Sequence, residues 1–227
     1  MPVSERSLLI RLGLFLATLA LLAICVWKGG SPGAANWGLY SALILAVALV
    51  LFYLRFEGSA VSSREISIVA VLAVVAAIAR LIFAAIPNVQ ATTFVVIVSG
   101  FVFGPRAGFM VGSTAALISN FFLGQGPWTP CQMFAWGLVG VTSGWLAALK
   151  PNLRSPGMVL FSFVWGYLFG WLMNLWFWAA FVRPLNWESF LVTYAASFPF
   201  DTFHALSNAG FYLMFGPRVV KILSRFQ

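Results

Sequence analysis

The segment FDTFHALSN, residues 200–208, contains the side chains best suited to chemistry in this sequence. Asp201, His204 and Asn208 follow one another at spacings of three and four, which places them on one face of an α-helix. A carboxylate and an imidazole on one face can relay protons, and together with an amide they can also bind a polar ligand. This helix is therefore expected to line either a proton pathway or a ligand site.

Four further polar side chains interrupt long apolar runs: Arg80, Asn120, Gln132 and Asn174. Polar groups are costly inside a bilayer and usually face the interior of a helix bundle or a water-filled cavity, so each is a candidate ligand contact. One hypothesis is that Arg80 pairs with Asp201, because neither charge is stable alone at that depth. The alternative is a purely structural polar contact between helices.

The elements that position these residues follow from composition. The chain of 227 residues is 62% hydrophobic and 8% charged, whereas soluble proteins average about 25% charged residues. Several apolar runs approach the roughly 20 residues that a helix needs to cross a bilayer, and a membrane barrel would show short alternating segments instead. We therefore expect an all-α integral membrane protein without a separate soluble domain. Eight spans are predicted, at residues 8–27, 38–54, 66–86, 90–104, 108–123, 131–149, 157–181 and 199–216.

The positive charges predict the orientation, because Lys and Arg are retained on the cytoplasmic side. With the N-terminus inside, ten of them fall in inner loops and only Lys28 and Arg183 in outer loops. Both termini are then expected to be cytoplasmic, with the polar residues in the outer half of the membrane. Topology also accounts for the net charge of +8 without a nucleic-acid partner. Span 8–27 is expected to be retained, since its apolar stretch is longer than that of a cleaved signal peptide.

The segment GQGPWTP, residues 124–130, interrupts the apolar sequence on the predicted outer side. Its glycines and prolines favour turns and oppose helix. Hydrogen-bonding and aromatic groups of this segment, and of the neighbouring outer segment 86–93, suit the capture of a polar, ring-containing solute. Trp128 could equally belong to the aromatic belt at the membrane surface. The candidate ligand contacts in these segments are Asn88, Gln90, Thr92, Thr93, Gln125 and Trp128.

Other signals are absent from the sequence. It has no GxxxxGK[ST] phosphate loop and no GxSxG nucleophile elbow. With one His and no Cys cluster, it also lacks metal-ligand spacing. We therefore expect no ATP site, no enzymatic activity, no catalytic cofactor and no metal. Cys25 and Cys131 are expected to be free buried thiols.

Small residues recur at helical spacing. In the span 66–86, Ala70, Ala73 and Ala77 lie near one face, and Gly104, Gly108 and Gly112 repeat every four residues. Small residues let membrane helices approach closely. We expect tight packing within the protein from most of them, whereas the alanine-rich helix could also dock onto another membrane subunit.

From about residue 64 to the C-terminus, the chain resembles the substrate-binding S components of energy-coupling factor (ECF) vitamin transporters. The resemblance rests on the alanine-rich helix, GFVFGPRAGFMVG, the GQGPWTP segment followed by QMFAWG, and FDTFHALSN in the last helix. PNVQATTF, VFGPRAGF and SNFFLGQGPWTPCQMFAWGLVG are most similar to the cobalamin-specific subgroup.

The resemblance implies a six-helix substrate-binding domain at residues 64–227. The two additional membrane helices predicted within residues 1–63, with a cytoplasmic linker after them, depart from the six-helix pattern of the family. The resemblance also implies capture of a vitamin, with cobalamin as the transported ligand, from outside a prokaryotic cell membrane. The expected partner is an energizing module of one membrane coupling subunit and two cytoplasmic ATPases. Alternatives are an S component for riboflavin, folate or a queuosine precursor, a stand-alone proton-coupled carrier, and a membrane enzyme or structural membrane protein.

Overall fold

The computed structural model of the protein describes residues 37–57, 62–150 and 155–227. The predicted span 8–27 and Cys25 lie outside these residues. Within them the structure is helical, with turns and no strand. The α-helices are α1 (Trp37–Glu57), α2 (Ser63–Ile82), α3 (Ala91–Leu123), α4 (Thr129–Leu149), α5 (Ser155–Phe181) and α6 (Trp187–Leu223), followed by a short 3₁₀ helix, Ser224–Phe226.

Of the described helices, α2, α3, α4 and α5 are long and apolar enough to cross a membrane. Helix α1 covers the predicted span 38–54. The predicted arrangement of six spans after two N-terminal ones stays a prediction, because span 8–27 is not described and α6 is not among those four helices. The proposed domain boundary between residues 63 and 64 also stays a prediction.

Helix α3 contains a sharp break that separates the predicted spans 90–104 and 108–123. Gly104 has φ 89° and ψ 173°, a backbone conformation that residues other than glycine rarely adopt, and Pro105 follows it. The chain folds back on itself here, because a Cβ on Gly108 would lie 2.6 Å from the Cα of Gly100. In a straight helix these residues would be about 12 Å apart. The two segments of α3 therefore lie side by side.

The core lies where the two segments of α3 pack against α4. A Cβ on Gly140 would lie 2.1 Å from the backbone of Gly108, and one on Gly144 would lie 2.2 Å from Pro105 N. The predicted tight packing of the glycine repeats within the protein is therefore confirmed here. Around this crossing, Val96, Ile97, Val111, Ala135 and Val139 are fully buried.

Helix α1 is tied to the bundle by a polar contact. The hydroxyl of Tyr53 lies 2.8 Å from Ser113 Oγ and 2.7 Å from Thr114 Oγ1, both in the second segment of α3. Helix α1 also packs against α4 and α5. The described part of the N-terminal region is therefore in direct contact with the rest of the protein.

Residues 182–199 join the predicted spans 157–181 and 199–216 on the predicted outer side, and the prediction of a join is wrong for most of this segment. Helix α6 begins at Trp187, where Asn186 and Ser189 form a reciprocal capping box, and it continues through Pro199. A membrane helix tolerates an internal proline because neighbouring groups satisfy the freed backbone atoms. Similarly, Pro130 belongs to the first turn of α4, where its missing N–H costs no helical hydrogen bond.

Candidate ligand-binding site

Arg80, near the end of α2, is the centre of a buried polar cluster. Its Nη1 donates to Ser119 Oγ at 2.7 Å and to Asn120 Oδ1 at 2.6 Å, both at the end of α3. The guanidinium carbon lies 4.8 Å from the centre of the Trp136 ring on α4, which is a cation–π contact. The side chain is 8% exposed. The cation on α2 is thus held by contacts with α3 and α4.

Asn120 connects Arg80 to the 124–128 turn. Its Nδ2 donates to Thr129 Oγ1 at 3.0 Å and to Gln132 Oε1 at 2.8 Å. Thr129 in turn donates to Gln125 Oε1 at 2.9 Å. These bonds fasten the turn onto the buried cluster.

The turn itself is closed by its own side chains. Gln125 Nε2 donates to the backbone oxygen of Leu117 at 3.1 Å. A Cβ on Gly126 would lie 2.4 Å from the Trp128 ring, which is folded back over this residue and is 38% exposed. Gly124 has φ 106°, which favours glycine. Gln125 therefore holds the turn together, while Trp128 retains an accessible ring surface.

Thr93, in the first turn of α3, connects α4 with α6. Trp136 Nε1 donates to Thr93 Oγ1 at 2.9 Å, and the same oxygen lies 2.9 Å from His204 Nε2. The Phe169 ring on α5 contacts both Trp136 and His204, with ring centres 4.6 and 5.2 Å away. Trp136 and His204 are 1% and 2% exposed. The indole that faces Arg80 is therefore also held by Thr93 and Phe169.

Asp201 belongs to a second polar group between α5 and α6. Its Oδ2 accepts from Asn174 Nδ2 at 3.2 Å and from Ser197 Oγ at 3.0 Å. The hypothesis that Asp201 pairs with Arg80 is wrong, because within the described residues each has only neutral hydrogen-bond partners. Similar depth along the membrane does not bring the two side chains to the same side of the bundle.

The remaining predicted contacts lie around these groups. Thr92 is fully buried and donates to the backbone oxygen of Ala76 at 2.9 Å. Asn88 is half-buried in the turn before α3, with φ 55°. Gln90 Oε1 is buried without a hydrogen-bond partner, and both polar atoms of the fully buried Asn208 also lack one. Thr92 thus has a structural bond, whereas Gln90 and Asn208 have unused hydrogen-bonding capacity.

Comparison with known proteins identifies the family. The model of the substrate-specific component of ECF transporters matches residues 64–223, well over half of the chain. The chain belongs to this family. It is a multi-pass membrane protein and a transport subunit. No curated protein and no solved structure matches the chain at a significant level.

In this substrate-specific component, sequence analysis missed three residues of the buried polar cluster around Arg80 and one residue of the second polar group around Asp201. Ser197 is four residues before Asp201, and Trp136 is four residues after Gln132, so helical spacing alone could have found them. Ser119 directly precedes Asn120 and could have been included with it. The fourth missed residue, Thr129, was read only as part of the turn.

Two grooves of the substrate-specific component adjoin the polar groups. One, of about 550 Å³, lies between α1, α3 and α4, and Thr129 and Gly126 line it. The other, of about 680 Å³, lies between α5 and α6 and includes Asn174 and Ser197, the two donors to Asp201. Both have the volume of a pocket for a drug-sized ligand.

The alanines predicted to dock a partner do not share one exposed face. Ala70 is exposed, whereas Ala73 and Ala77 are 0% and 1% exposed. Helix α2 packs against α3 along this side, so small side chains are needed there for close approach within the protein. In this arrangement Ala73 and Ala77 are not accessible to a partner, and the outward face of α2 carries Val71, Val74, Val75 and Ile78 instead.

Proposed function

We propose that this substrate-specific component captures a vitamin, with cobalamin as the first candidate, from the extracellular side. The family match over residues 64–223 supports the general role. The motifs PNVQATTF, VFGPRAGF and SNFFLGQGPWTPCQMFAWGLVG favour cobalamin. The observation that carries the proposal is the buried polar cluster of Arg80 and Asn120 directly beneath the 124–128 turn.

The proposed orientation places this turn outside the cell and both termini in the cytoplasm of a prokaryote. The distribution of Lys and Arg supports it. A ligand from outside would meet Trp128 first and then displace bonds that now hold the turn, such as that between Gln125 and Thr129. The turn would thereby act as the entrance to the site.

Release of the vitamin inside the cell would need a partner, because the sequence has no phosphate loop. We propose an energizing module of one membrane coupling subunit and two cytoplasmic ATPases. Helix α2 is the proposed contact, through Ala70 and its outward Val and Ile side chains. In the absence of the module the same apolar face would be covered by lipid.

A smaller vitamin is the second candidate, because of the groove volumes. Grooves of about 550 and 680 Å³ match a drug-sized molecule. A corrin ring with its nucleotide tail is larger and would have to extend over the outer surface near Trp128. Riboflavin, folate or a queuosine precursor would fit a single groove.

Uptake into vesicles tests this function. Proteoliposomes with this chain and the energizing module should accumulate labelled cobalamin only with ATP, whereas vesicles with the chain alone should bind it without accumulation. Uptake by the chain alone that a protonophore abolishes would contradict the proposal. It would support the stand-alone carrier, coupled to protons through Asp201 and His204.

A further inference from the structure

The positive charge of Arg80 has no negative partner in the described part of the protein. Its contacts are a hydroxyl, an amide oxygen and the Trp136 ring, all of them neutral. Asp201, the carboxylate predicted to balance it, is instead bonded to Asn174 and Ser197. The cation is nevertheless 92% buried, since 8% of its surface is exposed.

One edge of the guanidinium is also unused. Both hydrogen bonds of Arg80 come from Nη1. Nε is buried and has no hydrogen-bond partner. Nε and Nη2 together form the side edge of the guanidinium, which matches the two oxygens of a carboxylate or phosphate.

A buried charge is stable only when it is paired and hydrogen-bonded, and a buried donor without an acceptor adds a further cost. Neutral dipoles and an aromatic face partly compensate the charge of Arg80, but they leave Nε unsatisfied. An anionic oxygen group placed against this edge would balance the charge and satisfy the donor in one contact. Asn120 and Trp136 would hold the guanidinium ready for it.

We propose that the transported vitamin carries a carboxylate or phosphate group that pairs with the Nε edge of Arg80. This inference rests on the proposed function and restricts it to anionic substrates. Cobalamin, through its phosphodiester, belongs to this class, as do folate and biotin through their carboxylates. Riboflavin and thiamine do not.

Calorimetric titration of the purified chain with these five vitamins tests the inference. For the vitamin that binds, the titration is repeated with a matched compound that differs only in lacking the anionic group: cobinamide is compared with cobinamide phosphate, and the methyl esters of biotin and folate are compared with the free acids. We expect the matched compound to bind roughly 10- to 100-fold more weakly, which is the range for a hydrogen bond to a charged group. Equal affinity of the two compounds, or tight binding of riboflavin or thiamine, would overturn the inference.

Substitutions provide a second test. Arg80→Gln should lower the affinity for the anionic vitamin by a similar factor without lowering the affinity for the matched uncharged compound. Arg80→Lys should retain part of the affinity for the anionic vitamin. Arg183→Gln is the control, because it removes an exposed arginine that contacts only the backbone oxygens of Ala179 and Val182. An equal loss for charged and uncharged compounds in Arg80→Gln would indicate a structural role and overturn the inference.

The two proposals fail in different ways. Binding of riboflavin or thiamine would refute the anionic contact and leave a vitamin-binding subunit. If Arg80→Gln does not fold, the comparison of ligand pairs on the unmodified chain still decides. A queuosine precursor is titrated as well, and binding of neither this compound nor any of the five vitamins would contradict the proposed function and, with it, this inference.

Discussion

Replacement of Thr93 by Val tests the connection between Trp136 and His204. Val has nearly the shape of Thr, so the substitution removes the hydroxyl with little change in packing. The hydroxyl oxygen lies 2.9 Å from both Trp136 Nε1 and His204 Nε2. Since both rings are at most 2% exposed, water cannot readily replace the lost bonds.

The expected magnitude follows from these two contacts. Side-chain hydrogen bonds in membrane proteins contribute on average about 0.6 kcal/mol, with a maximum near 1.7 kcal/mol. Loss of both should lower the free energy of unfolding by about 1 to 3 kcal/mol. The control is Thr93→Ser, which keeps the hydroxyl and loses one methyl group, at about 0.8 kcal/mol.

The measurement is the free energy of unfolding in mixed micelles, followed by tryptophan fluorescence during titration with SDS. A double-mutant cycle of Thr93→Val with Trp136→Phe isolates one bond and should give a coupling energy of about 0.6 to 1.7 kcal/mol. A Thr93→Val protein as stable as Thr93→Ser, together with additive effects in the cycle, would refute the connection.

Three further predictions use the same unfolding assay or ligand titration. Gly140→Ala should destabilise the protein by about 1 to 3 kcal/mol, because its Cβ would lie 2.1 Å from the backbone of Gly108. The control, Gly210→Ala, should not destabilise it, because nothing lies within 4 Å of that Cβ. Equal effects of the two substitutions would argue against the close crossing of α3 and α4. Asn208→Leu should raise the free energy of unfolding, because both polar atoms of Asn208 are buried without partners; a loss of stability would show that the amide is satisfied. Asn120→Asp should place a carboxylate beside Arg80 and lower the affinity for an anionic vitamin about tenfold or more. Unchanged affinity would contradict the proposed pairing of Arg80 with the anionic group.

The polar cluster could be predicted in part from the sequence. Arg80 comes late in α2, Asn120 comes late in α3 and Gln132 comes early in α4, so a constant rise per residue places them at similar depth. The structure brings Asn120 together with both of the others. Depth is thus readable from sequence position in a membrane helix.

The neighbour that each inward polar side chain contacts could not be predicted. Arg80 and Asp201 have similar predicted depths, yet they contact different neighbours. The inward position of Ala73 and Ala77 could have been predicted, because Arg80 lies three residues after Ala77 on the same helix face and polar side chains face the bundle interior. Arg80 and Asp201 each mark the inward side of a helix, but neither shows which neighbouring helix it contacts, so packing alone decides that.

Glycine and proline residues predicted helix ends correctly at some positions and wrongly at others, depending on the surrounding structure. Gly104 and Pro105 mark a true reversal of the chain, because Gly104 adopts a positive φ. Pro199, by contrast, lies within α6, which the capping box at Asn186 starts twelve residues earlier than predicted. A proline is compatible with helix wherever neighbouring groups can satisfy the freed backbone oxygen.

The most direct test of the central claim, a ligand site that opens to the outside of the cell, is the accessibility of the 124–128 turn. Pro127 is exposed, so Pro127→Cys in a chain with Cys25→Ser and Cys131→Ser provides a single reporter. On intact cells, a membrane-impermeant maleimide should label this cysteine, and the bound vitamin should slow the reaction. Labelling that occurs only after the membrane is permeabilised would contradict the account.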